Sequence, residues 1–164
     1  MKDILQKLST YNIFNYLLPG IVFVALLRQF TSFDLIIDEL LIGAFLYYFV
    51  GMVISRIGSI IIEPILRKSG IAKFSDYSEF VLASKKDEKI EMFSEINNMY
   101  RTFTSMLLIL ILAVIYDNIT FLTTLNDTLK SIIGLILLTL LFLLSYKKQT
   151  EYINKRINTQ NNGE

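Results

Sequence analysis

The sequence predicts an all-α integral membrane protein with four transmembrane helices and a cytoplasmic helical insert between the second and third spans. Hydrophobic residues make up 53% of the 164 residues. They are concentrated in long blocks rather than spread along the chain, a distribution typical of membrane-spanning helices and not of a soluble core. The charged residues lie mostly between and after these blocks, which divides the chain into spans and links.

The first predicted span covers about residues 13–30. Pro19 and Gly20 interrupt it, since proline removes one backbone hydrogen bond and glycine lets a neighbouring helix approach closely. We interpret the pair as a packing kink, with a gating hinge as the alternative. Residues 2–12 are amphipathic and carry no cleavable signal pattern, so they predict either a short helix on the membrane surface or a frayed extension of the span.

The second predicted span lies in the longest apolar run, residues 40–66. As a helix this run would reach roughly 40 Å, more than the ~30 Å hydrocarbon layer of a bilayer. The span can begin at Leu35 or at Leu40, and a span of about residues 35–56 matches the bilayer best. Small residues recur along this helix and favour close packing against a neighbour: Gly51, Ser55, Gly58 and Ser59.

Two charged residues, Arg56 and Glu63, interrupt the same apolar run. They lie seven residues apart and therefore share one helix face. With a span that ends near Arg56, that side chain can extend to the headgroups, and Glu63 lies beyond the hydrocarbon. The pair can bond across two turns, bond between subunits, or line a water-filled cavity.

Residues 57–103 are predicted to form the cytoplasmic helical insert. Ser75 or Asp76 can cap a short helix there. Between residues 90 and 107 apolar side chains recur at steps of three and four, which predicts an amphipathic helix that continues without a break into the third span, at about residues 104–122.

The fourth predicted span covers about residues 129–146. The polar tail at about residues 157–164 is expected to be disordered. No internal repeat and no separate soluble domain is evident, so residues 1–164 are interpreted as a single membrane domain.

The distribution of Lys and Arg predicts the orientation of the four spans. Of the 16 Lys and Arg residues, 14 fall before the first span, between spans two and three, or after span four, and 2 fall in the other two links. Because cytoplasmic loops are enriched in Lys and Arg, both termini and the insert should be cytoplasmic.

The composition also excludes common chemistry. The chain has no Cys and no His, so it cannot hold a disulfide framework, a thiolate nucleophile or a His general base, and the commonest metal ligands are missing. No nucleotide-binding or hydrolase motif is present. We therefore expect no enzyme activity, no cofactor and no metal site.

Two sets of residues are candidates for function. An oligomer could form a pore whose lumen or inner mouth is lined by small and charged groups of the second span: Ser55, Arg56, Ser59 and Glu63. The alternative is that the small-residue stripe, Gly51, Ser55 and Gly58, packs span two against span one or span three within one subunit. The helix-packing candidates are Pro19, Gly20, Gly51 and Gly58. A basic cytoplasmic set can recognise a partner protein, a nucleotide or oligonucleotide, or anionic lipid headgroups: Arg67, Lys68, Lys73, Lys85, Lys86, Lys89 and Arg101.

The stretch at residues 11–20, YNIFNYLLPG, is followed by an apolar run, a basic helical insert and two more spans. In this the chain resembles the small four-span membrane effectors of bacterial anti-phage defence operons, and among them the membrane effector of the Hailong type. The resemblance implies an oligomeric ion channel in the bacterial inner membrane, held in check by a nucleic-acid oligomer that a partner nucleotidyltransferase makes.

The leading hypothesis is therefore a homo-oligomeric membrane effector that conducts ions or disrupts the membrane when a cytoplasmic signal acts on it. The first alternative is a non-conducting membrane anchor or scaffold that recruits a cytoplasmic partner. A small transporter subunit is the third.

Overall fold

The computed structural model describes residues 10–119 and 126–161, and every regular element within them is helical. These elements are α1 (Thr10–Phe30), α2 (Leu40–Lys68), α3 (Tyr77–Lys86), α4 (Lys89–Asn118) and α5 (Asp127–Asn161). All except α3 are long and apolar enough to cross a membrane. The prediction of an all-helical chain with four candidate membrane spans is confirmed.

Helices α1, α2 and α4 form a three-helix bundle with a continuous apolar core. The core side chains come from all three helices: Phe23, Val24, Leu27, Ile54, Met106 and Leu110. Helix α5 is peripheral, since 11% of its most apolar stretch is buried inside the protein, compared with 33% for α1. One of its apolar contacts is Phe142 stacked on Phe49 of α2, with ring centroids 6.2 Å apart.

The two ends of the bundle carry opposite charge, and we name them accordingly. At the basic end, α2 finishes with Arg67 and Lys68, and α4 begins at Lys89. At the acidic end, the carboxylate of Asp117 accepts a hydrogen bond from the backbone N–H of Ser32 at 2.8 Å. This bond ties the α1–α2 link to the last turn of α4.

Helices α1 and α2 cross in direct backbone contact at Gly20 and Gly51. A Cβ atom added at Gly20 would overlap the carbonyl oxygen of Tyr47, and one added at Gly51 would overlap that of Tyr16. Only glycine permits this approach, which increases van der Waals contact between two helices that gain no hydrophobic free energy from associating in lipid.

Each of the two prolines follows a widened helical turn. The π-helical turn Ile13–Leu17 lies just before Pro19, and the π-helical turn Gly58–Ile62 lies just before Pro64. A proline ring collides with the carbonyl four residues earlier in a regular α-helix, and its nitrogen has no hydrogen to donate. An i→i+5 turn relieves that collision and keeps the helix continuous, at the cost of rotating the side chains that follow it.

Helix α2 begins at Leu40, five residues after the preferred start of the predicted span. Two bonds hold the preceding residues out of a helix. The Asp34 carboxylate accepts the backbone N–H of Ile36 at 2.9 Å, and the N–H of Ile37 donates to the Tyr47 hydroxyl at 3.1 Å. At its other end α2 ends at Lys68, two residues before Gly70, which adopts a positive φ of 78° that glycine accommodates without strain.

Helix α5 continues to Asn161, whereas the sequence predicts a disordered tail from residue 157. Before this extension, α5 contacts α3, where the ring of Tyr152 lies 5.6 Å from that of Tyr77. Residues 10–12 of the amphipathic segment predicted at residues 2–12 form the start of α1. Residues 2–9 of that segment, the last residues of the predicted third span and residues 162–164 lie outside the described ranges.

Replacement of Gly51 by alanine is expected to destabilise the protein. The added methyl group must push α1 and α2 apart, which should cost about 1–3 kcal/mol as for other overpacked sites. Thermal unfolding of the detergent-solubilised protein measures the effect. The matched control is Gly134→Ala in α5, where nothing lies within 4 Å of an added Cβ. An equally small effect of both substitutions would contradict the close crossing of α1 and α2.

Candidate functional site: a charged cavity at the basic end

A cavity of about 910 Å³ opens at the basic end of the bundle, between α1, α2, α3, α4 and α5. The predicted inner-mouth residues of α2 all line it: Ser55, Arg56, Ser59 and Glu63. The cavity lies where α2 passes from its apolar stretch to its basic last turn, so polar and charged groups from five helices meet the apolar bundle here.

The carboxylate of Glu63 is the most buried charged group of this cavity, with 6% of the residue exposed. Arg101 of α4 bonds to it at 2.6 Å, Arg67 one turn later in α2 at 3.2 Å, and Lys148 of α5 at 3.6 Å. Three cations thus share one buried carboxylate. Because an unpaired buried charge costs several kcal/mol, these contacts constrain α2, α4 and α5 to one arrangement.

Lys148 makes a second set of contacts whose origin is Pro64. In the π-helical turn before Pro64, the carbonyl of Ser59 would accept a hydrogen bond from the backbone nitrogen of residue 64. Because that residue is proline, its nitrogen has no hydrogen to donate, and the carbonyl stays open. The ammonium of Lys148 bonds to that carbonyl, and to the Ser59 hydroxyl at 2.8 Å. A backbone acceptor left open by proline is therefore satisfied by α5.

A buried polar cluster lies deeper in the bundle than Glu63. The Thr102 hydroxyl is fully buried and lies 2.9 Å from the carbonyl of Asn98, 3.0 Å from Oδ1 of Asn15 and 3.2 Å from Oγ of Ser55. It joins α4 to both α1 and α2. Such interhelical bonds between hydroxyl and amide groups stabilise helix pairs within apolar surroundings.

Two donors at this site have no described acceptor. They are Nδ2 of Asn15 and Nε of Arg101, both buried. A buried donor without an acceptor costs about 1–3 kcal/mol. Since a guanidinium is always protonated, Nε of Arg101 can act only as a donor.

Arg56 and Glu63 do not pair with each other among the described residues, although both line the cavity. The π-helical turn between them adds a residue and rotates Glu63 away from the face of Arg56. Arg56 instead reaches α1, where its guanidinium lies 3.4 Å from the hydroxyl of Tyr16, a long and therefore weak hydrogen bond.

The predicted basic set is divided by the fold. Arg67, Lys73 and Arg101 line the cavity, and the Arg67 guanidinium also lies 4.0 Å from the ring centroid of Phe74. The remaining members do not line it: Lys68, Lys85, Lys86 and Lys89. Lys89 lines a separate cavity of about 700 Å³ between α1 and the start of α4.

The packing residues and the small-residue stripe lie inside the subunit. Gly58 faces α4, where an added Cβ would overlap the Ser105 hydroxyl. Ser55 and Ser59 are 3% and 8% exposed, so α1, α4 and α5 already cover them. In this arrangement the small-residue stripe packs within one subunit, as the alternative to a pore-lining role describes.

Sequence reasoning did not select three residues of this site: Asn15, Thr102 and Lys148. Asn15 was visible as a polar residue within an apolar block, and such residues in a span tend to face other helices. Thr102 and Lys148 lie at the ends of predicted spans, where polar residues are common and carry no such signal.

Comparison with known proteins adds no family assignment. The chain matches no protein-family model, no curated protein and no solved structure.

Replacement of Glu63 by glutamine should lower the free energy of unfolding by about 3 kcal/mol, because the cations that share the carboxylate lose their counter-charge. Denaturation in mixed micelles measures this change. The matched control is Arg67→Gln, whose side chain is 48% exposed and whose loss should cost less than about 1 kcal/mol. Equal losses in the two variants would show that burial does not distinguish Glu63.

Proposed function

We propose that the chain is a homo-oligomeric effector of the bacterial inner membrane that conducts ions or disrupts the membrane when a cytoplasmic signal reaches it. In this proposal the basic end and both termini face the cytoplasm, in accord with the bias of Lys and Arg. The protein acts in anti-phage defence, as the resemblance of its sequence implies, and it carries out no enzymatic reaction.

The observation that carries the proposal is the polar path at the basic end. It starts in the open cavity, passes the buried carboxylate of Glu63 and continues to the Thr102 cluster. Polar and ionisable groups are costly within a membrane and are retained mainly where they contact water, ions or one another. An ion route that begins at this cavity would use these groups.

The ion pairs of Glu63 with Arg67, Arg101 and Lys148 are suited to hold such a route closed. They join α5 to a bundle with which α5 otherwise shares few buried residues. A ligand or partner that competes for Arg101 or Lys148 would weaken this link and let α5 move. The signal is a partner protein, a nucleotide or an oligonucleotide acting on residues 67–101, in which Arg67, Lys73 and Arg101 line the cavity.

Oligomerisation is part of the proposal because, among the described residues of one subunit, the polar path ends at the Thr102 cluster and does not continue through the apolar core. The apolar half of α5 leaves large side chains uncovered, with Leu135 and Leu137 65% and 60% exposed. Packing of α5 against a second copy would cover them. Lipid covers them in a monomer, so this face is compatible with an oligomer without requiring one.

A specific observation favours the second candidate, a non-conducting scaffold. The part of α4 near the basic end presents exposed apolar side chains at helical spacing: Met92, Phe93, Ile96 and Tyr100. If this part of α4 lies outside the bilayer, such a face would suit an apolar partner surface.

Channel recording tests the proposal. Purified protein in planar bilayers is expected to show discrete currents, and Glu63→Gln should raise the fraction of time spent open, because the link to α5 is weakened. Lys68→Gln is the control, since Lys68 is exposed and does not line the cavity. Absence of current from both the wild-type protein and Glu63→Gln would contradict the proposal and favour the scaffold.

A further inference from the structure

We propose that the cavity at the basic end binds the phosphate group of an anionic phospholipid from the adjacent leaflet. The inference depends on the chain being a membrane protein and not on whether it conducts ions. Four observations carry it: the charge of the cavity, its donors without a counter-ion, its depth and the apolar surface beside it.

The cavity carries an excess of positive charge. Five basic side chains line it, against three acidic ones. One of the three acids, Glu63, already bonds to Arg67, Arg101 and Lys148. Lys148 does not line the cavity and adds one more positive charge beside it. The remaining lining acids, Asp76 and Glu79, are both exposed and screened by water. The interior of the cavity is therefore the more cationic part.

Several donors in the cavity lack a counter-ion. Arg56, Lys73 and Lys155 form no ion pair with any residue in the described ranges. A phosphate group offers several charged oxygens at once, and the planar fork of a guanidinium matches that geometry.

The depth of the cavity fits a lipid headgroup. Arg56 is 16 residues along α2 from Leu40, or about 24 Å by helical rise, so it lies near one boundary of a ~30 Å hydrocarbon layer when Leu40 lies near the other. Basic pockets between helices at this level are the usual sites for anionic headgroups.

The apolar surface of α5 beside the cavity also provides a path for acyl chains. Helix α5 contacts the bundle through a few side chains, among them Phe142 and Lys148, and most of its apolar stretch is uncovered by protein. An acyl chain can lie along this side of α5 while the phosphate enters the cavity. A soluble phosphate would gain nothing from that apolar surface.

Native mass spectrometry of the full-length protein with added lipids tests the inference. Phosphatidylglycerol should bind at least about tenfold more tightly than phosphatidylcholine, whose ammonium group would oppose Arg56. Arg56→Gln should weaken phosphatidylglycerol binding about tenfold, the effect expected for one charge-assisted hydrogen bond. Lys155→Gln, an exposed and unpaired position that leaves the packing intact, should weaken it about fivefold.

The matched control is Lys85→Gln, a basic position of α3 that does not line the cavity, and it should leave binding unchanged. Equal affinity for the two lipids, or an equal loss in Lys85→Gln, would overturn the inference. Competition with inorganic phosphate is the last part of the experiment. If millimolar phosphate displaced the lipid and itself raised the unfolding temperature in an Arg56-dependent manner, the ligand would be a soluble phosphate and the lipid assignment would be wrong.

Discussion

A single buried carboxylate organises the basic end of this protein. Glu63 lies in α2, and the cations that neutralise it come from α2, α4 and α5. The desolvation of a carboxylate and of its partners is recovered only when all of them stay in register. The position of α5 depends on this register, because its apolar stretch contributes little buried surface to the bundle.

Pro64 explains why Glu63 faces the inside of the bundle. A regular helix from Arg56 onward would place Glu63 on the same face as Arg56. The π-helical turn that precedes Pro64 rotates Glu63 toward α4 instead and exposes the Ser59 carbonyl to Lys148. One local consequence of proline thus produces both polar contacts of Lys148 with α2.

The sequence predicts the helical class and the four candidate spans, because hydrophobic blocks of bilayer length have one common structural solution. It also predicts that α2 is too long to end within the membrane. Helix ends are harder to predict from the sequence: α2 starts late because of bonds made by Asp34 and Tyr47, and α5 continues to Asn161. The Tyr47 bond joins residues ten apart, and no local pattern encodes it.

The candidate site is predicted only in part for the same reason. Glu63 and Arg56 stand out as charges in an apolar run, and the cavity contains both. Of the arrangements left open for the two, the bond across two turns does not form, because periodicity assumes a uniform helix and the partners of Glu63 in α4 and α5 are distant in sequence. Charge alone did not separate Arg101 and Lys148 from the other basic residues, since burial decides their role.

Distance measurement between α2 and α5 tests most directly whether Glu63 holds α5 in place. The chain has no cysteine, so spin labels can be attached through Lys68→Cys and Lys147→Cys, both exposed positions that do not line the cavity. Pulsed electron paramagnetic resonance in lipid nanodiscs should give one narrow distance distribution in this background. Adding Glu63→Gln should broaden the distribution and shift it to longer distances. An unchanged distribution would show that α5 is held by other contacts and would contradict the central role of Glu63.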